Sequence, residues 1–77
     1  MSKTDNLDLI ENFPDVLKDI RLKNGISQEE LAARAGLHRT YISQVERGLK
    51  SPSLRSLALI ADALDTKLSL IFRKLEN

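Results

Sequence analysis

Seventy-seven residues with no cysteine and a formal net charge of +1 describe one small domain with a thin core, since a chain of this size buries only about 60% of its unfolded surface. Neither a disulfide nor a thiolate metal site can reinforce that core, which leaves helix packing and oligomerisation as sources of stability. No stretch approaches the roughly 18 apolar residues that cross a bilayer, and the acidic residues 1–12 lack the apolar run of a secretory signal. The expected setting is therefore cytoplasmic and reducing, with no membrane partner.

The near-neutral total hides an uneven distribution. Residues 1–20 set Lys3 and Lys18 against Asp5, Asp8, Glu11, Asp15 and Asp19, net −3. Residues 38–55 set Arg39, Arg47, Lys50 and Arg55 against Glu46, net +3. A basic stretch confined to one segment suits either a solvated surface or a contact with phosphates.

The predicted fold class is all-α: a bundle of about five short helices, with glycine stops at Gly25, Gly36 and Gly48 where left-handed C-caps are expected. Residues 1–12 are expected to be loose, with Leu7 and Ile10 able to add one turn. Residues 13–77 form the domain. Helix one is predicted from Phe13 to Asn24, with Phe13, Leu17 and Ile20 on one face and Pro14 in the first turn, where proline is tolerated. Helix two follows the N-cap Ser27, with Glu30 completing a capping box, and ends near Ala35. Helix three spans Arg39 to Arg47 behind His38, a poor N-cap. Helix four starts after Ser53 and runs to about Leu64. A last helix covers about Ser69 to Leu75 and is unusually apolar.

The segment from Gln28 to Val45 meets six constraints in eighteen residues. Leu31 and Leu37 are apolar. Ala32 is small, which allows two helices to meet steeply over a short turn. Gly36 supplies the positive φ of that turn. Ile42 and Val45, three apart, pin the inner face of helix three. A helical hairpin of another kind would not need the full set. These residues, in the run Ser27-Gln28-Glu29-Glu30-Leu31-Ala32, Gly36-Leu37 and Tyr41-Ile42-Ser43-Gln44-Val45-Glu46-Arg47-Gly48, resemble the Cro/lambda-repressor helix-turn-helix family, also called the XRE family. The similarity continues through Ser51-Pro52-Ser53-Leu54 and Ala61-Asp62-Ala63-Leu64, so it covers about residues 13–75. Within the family, His38-Arg39-Thr40-Tyr41-Ile42-Ser43 and the short length resemble restriction–modification controller proteins. Antitoxins and prophage repressors share most of the pattern.

The resemblance implies a transcription regulator that places helix three in the major groove of double-stranded DNA. The matching positions imply base contacts from Arg39, Thr40 and Gln44, whose chemistry suits guanine, thymine and adenine edges. Phosphate contacts are implied for Gln28, at the start of helix two, and for Tyr41, Ser43, Arg47, Ser51 and Ser53. Lys50 and Arg55 either add to these or are simply solvated. The family pattern also pairs Arg21 with Glu46 as a structural ion pair. His38, the only histidine, is a turn residue rather than a metal ligand. No nucleophile–base pair or phosphate-binding glycine loop is present, so neither an enzyme, nor a cofactor, nor a small-molecule ligand is expected.

A single domain offers few base contacts, and two domains on a two-fold axis would read a palindrome. The family dimerises through its last helices. Leu68, Leu70, Ile71, Phe72 and Leu75 are too many apolar groups for one thin core, and they are the expected homodimer interface. The different-class alternative is a protein-interaction module that keeps the fold without the DNA contact. The polar residues Arg39, Thr40, Gln44 and Arg47 argue against it.

Overall fold

The computed structural model describes residues 3–76, with side chains from Ile10 onward. Five helices follow in order: α1 Lys3–Lys23, α2 Gln28–Ala35, α3 Arg39–Glu46, α4 Leu54–Ala63 and α5 Leu68–Glu76. No strand occurs among the described residues. The side chain of Leu7 and the charges of Lys3, Asp5 and Asp8 lie outside the described side chains.

The N-terminal segment departs from expectation. Residues predicted to be loose already belong to α1, which runs through Pro14. An internal proline removes one helix hydrogen bond and normally costs about 3 kcal/mol. The helix is packed on one side around the proline, where Phe13 is buried. α1 packs against α5, and Ile10, Phe13 and Pro14 share a groove with Gly48, Leu57, Phe72 and Leu75. Pro14 Cγ would lie 3.8 Å from a Cβ built on Gly48, which places the proline beside the end of α3.

The helix boundaries follow from local chemistry. Ser27 Oγ accepts from Glu30 N at 3.0 Å and opens α2. The capping box is only half made, because the Glu30 carboxylate reaches Arg34 Nη2 at 2.8 Å instead of turning back. Ser53 Oγ opens α4 in the same way, accepting from Ser56 N at 3.0 Å. His38 precedes α3 without a side-chain cap bond. Four helices, α1 to α4, end in paired Schellman bonds. At α2, Gly36 N donates to Ala33 O and Leu37 N to Ala32 O, with Gly36 at φ 70°. At α4 the left-handed position is filled by Asp65, φ 52°, with Asp65 N on Asp62 O and Thr66 N on Ala61 O. Aspartate tolerates this conformation better than most residues do, but less well than glycine.

One core joins all five helices. Leu17, Leu31, Ile42, Val45, Ile60 and Ile71 are fully enclosed, with Phe13, Ile20, Ala32, Leu57, Leu64 and Leu75 around them. α2 packs against α3 and α4, and α1 against α3 and α5. This arrangement seals the inner face of α3 and leaves the opposite face toward solvent.

Candidate nucleic-acid interface

The position of α3 is set from two sides. Ile42 and Val45 are fully buried, so the helix cannot roll without opening the core. At its last residue, Glu46 is clamped by Arg21 from α1. Arg21 Nε donates to Glu46 Oε2 at 2.7 Å, and Arg21 Nη2 to Oε1 at 3.0 Å. Arg21 is 7% exposed and Glu46 9%. The bonding to Glu46 holds the guanidinium pKa above its already high ordinary value, although burial opposes this. Arg21 Nη1 also donates to Ile26 O at 2.9 Å, tying the α1–α2 turn into the same cluster. Gln28 Nε2 is a third donor, 3.0 Å from Glu46 Oε1. The carboxylate therefore links α1, α2 and α3, and among the described residues no buried side-chain polar atom lacks a partner.

The outward face carries the expected readers. Arg39, Thr40 and Arg47 are exposed, while Tyr41, Ser43 and Gln44 are half-buried. Arg39 and Thr40 sit in the first turn of α3, the part of a recognition helix that points at base edges. Lys50 is exposed, with its Nζ 5.8 Å from the Tyr41 ring centroid, at the outer reach of a cation–π contact. Ser51 and Ser53 are exposed at the approach to α4.

Two expected phosphate donors are already engaged. One amide hydrogen of Gln28 is taken by Glu46, which leaves its other N–H and its backbone N–H. Ser53 Oγ accepts from Ser56 N and donates to Ser56 Oγ at 2.9 Å, so in this arrangement its hydroxyl hydrogen is not free for a phosphate. Ser56, buried beneath this cap, carried no distinguishing signal in the sequence. Neither did the Gln28–Glu46 bond, which spans eighteen positions.

The expected interface on α5 needs correction. Ile71 is 1% exposed and Leu75 9%. Spaced i, i+4, they face inward because α5 lies across α1 and α4. They complete the core and offer no surface to a partner. Leu68 is half-buried against the same core. Only Leu70 and Phe72, each 40% exposed, remain as outward apolar groups of the five. Among the described residues no cluster of His, Cys, Asp and Glu is arranged to hold a metal, and no helix is long and apolar enough to cross a membrane.

A family model described as helix-turn-helix matches residues 17–71. The chain belongs to the helix-turn-helix family. It is 45% identical over 62 residues to the control protein C.BamHI of Bacillus amyloliquefaciens, covering 79% of this chain and 74% of that protein. The wild-type restriction–modification controller protein C.Esp1396I superimposes with a TM-score of 0.81 at 39% identity, covering 87% of this chain and 88% of that one. That controller has also been solved as a tetramer in complex with its natural 35 base-pair operator. A longer relative, the HTH-type transcriptional regulator y4dL of Sinorhizobium fredii, is 43% identical over 65 residues, and the chain spans only a third of its length. The helix-turn-helix of the family corresponds here to α2, the Gly36 turn and α3.

Proposed function

We propose that this chain is a sequence-specific, double-stranded DNA-binding transcription regulator that binds a palindromic operator as a homodimer, and that it serves as a restriction–modification controller protein. The observation that carries this reading is the exposed polar row Arg39, Thr40 and Arg47 on a helix whose other face is sealed by Ile42 and Val45. A reading helix must present donors to base edges while remaining rigid, and α3 has both properties. Arg39, Thr40 and Gln44 contact bases. Gln28, Tyr41, Ser43, Arg47 and Ser51 hold the backbone, and Ser53, two residues after Ser51, caps α4.

Two half-sites one helical turn apart, about 34 Å, match two copies related by a two-fold axis. Leu70 and Phe72 flank the buried Ile71 on opposite sides of α5, and the Leu70 flank is the one assigned to that contact. The similarity to C.BamHI and to the operator-bound C.Esp1396I supports the controller assignment. The protein acts in the cytoplasm, on DNA, without catalysing a reaction.

Selection of bound sites from a random duplex pool tests the reading. It predicts a palindrome whose half-site centres lie about one turn apart. Binding to the selected duplex weakens steeply with salt, because phosphate contacts release counterions. Enrichment of no sequence, with salt-insensitive binding, would refute it.

A further inference from the structure

Glu46 does more in this geometry than balance Arg21. Its Oε1 accepts from both Arg21 Nη2 and Gln28 Nε2, each at 3.0 Å, while Oε2 accepts from Arg21 Nε at 2.7 Å. The Glu46 side chain is 3% exposed, so water hardly competes for these lone pairs. Gln28 is half-buried and is the first residue of α2. The Ser27 cap satisfies Glu30 N, and Leu31 N is bonded to Ser27 O. The Gln28 backbone N–H belongs to the first turn, where no intrahelical acceptor exists.

We infer that Glu46 is a positioning residue for DNA binding: by accepting one Gln28 amide hydrogen, it fixes the side chain so that the second Nε2 hydrogen and the Gln28 backbone N–H meet one phosphate together. The proposal deepens the DNA-binding reading above and rests on it. Three physical points support it. A carboxylate only accepts hydrogen bonds, so it rejects the flipped amide, which would present an oxygen to the phosphate. A glutamine already held loses little rotamer freedom on binding, whereas a free one loses most of it. The Glu46 charge, which alone would repel a phosphate, is neutralised by the bidentate Arg21. Because Glu46 is also the last residue of α3, the same group sets the recognition helix and the phosphate grip in register.

The test compares wild-type protein, Q28A, E46Q and the double variant on a duplex selected from a random pool, at a temperature where circular dichroism shows each to be folded. Q28A should weaken binding about five-fold per half-site, the size of one ordinary hydrogen bond. Its salt dependence should not change, since no cation is removed. E46Q should weaken binding by more than Q28A, because it also loosens the Arg21 clamp on α3, but its effect in the Q28A background should be several-fold smaller than in wild type. A merely structural Glu46 would have the same effect in both backgrounds, and that result would overturn the proposal, as would Q28A binding like wild type. Should E46Q fail to fold, the Gln28 side-chain amide of the unaltered protein decides by NMR. One Nε2 hydrogen protected from exchange and retained on adding duplex is expected, and a freely exchanging pair would overturn the proposal. If wild-type protein selects and binds no duplex, the DNA-binding reading itself fails. If Q28A weakens binding while E46Q matches wild type, only the positioning role does.

Discussion

Replacing Glu46 with alanine should be among the most damaging single changes in this chain. It leaves the Arg21 guanidinium, 7% exposed, with Ile26 O as its one remaining acceptor among the described residues, and it also strips Gln28 Nε2 of its partner. Breaking a buried pair in this way costs roughly 3–5 kcal/mol, because the remaining charge stays desolvated. A domain of 77 residues has a total stability of roughly 4–12 kcal/mol at 0.05–0.15 kcal/mol per residue. The substitution therefore removes about a quarter of the stability at the least, and nearly all of it if the protein lies at the weak end. With a urea m-value near 1 kcal/mol/M, typical of small domains, the midpoint should fall by about 3–5 M, or the folded baseline be lost, at fixed protein concentration. The double replacement R21M/E46L, which removes both charges and keeps the volume, should recover most of the loss. If E46A stays within 1 kcal/mol of wild type, or if the double variant is as unstable as E46A, then the ion pair does not hold α3 to α1 in the way described.

Other outcomes follow from the same structure. Ile71→Ala should cost about 2–5 kcal/mol by opening a core cavity, as measured by urea unfolding, whereas Leu70→Asp should keep the helical circular dichroism and shift sedimentation from dimer to monomer. A dimeric L70D would remove the Leu70 flank of α5 from the interface. Asp65→Asn should raise stability by about 0.3–1 kcal/mol, because it keeps a residue tolerant of positive φ and removes a negative charge from the C-terminal end of α4. Thermal melts of D65N at or below the wild-type midpoint would contradict this. Arg39→Ala should lose about 1–3 kcal/mol of discrimination at one base pair per half-site. Arg47→Ala should instead weaken all duplexes alike and lower the salt slope by about 0.9 for each phosphate that the arginine had neutralised. Competition gel shifts at several salt concentrations would separate the two.

The parts of this molecule written in local chemistry were legible from the chain. Ser27, Gly36 and Gly48 mark helix ends because capping and positive φ depend on the residue at one position. Ile42 and Val45 reveal the sealed face of α3 through their spacing. Arg21 and Glu46 can be paired from the sequence only through the family pattern, since nothing local joins residues twenty-five apart. Where tertiary packing overrides local rules, the sequence misleads. Pro14 reads as a helix start, yet α1 extends past it, with α5 and the Gly48 loop packed beside it. Asp65 ends α4 in the left-handed region without the glycine that would have announced it. On α5 the apolar residues can be read, but which of them face inward depends on the angle at which the helix crosses α1 and α4. That angle turns Ile71 and Leu75 into core and leaves Leu70 and Phe72 outside.

Backbone and side-chain chemical-shift mapping with a selected duplex puts the central claim to its most direct test. Perturbations should concentrate on Arg39, Thr40, Gln44 and Arg47, on Gln28 at the head of α2, and on the loop from Lys50 to Ser53, while Ile10 and Leu22 on α1 stay unmoved. Shifts centred on α1, with α3 silent, would contradict the account.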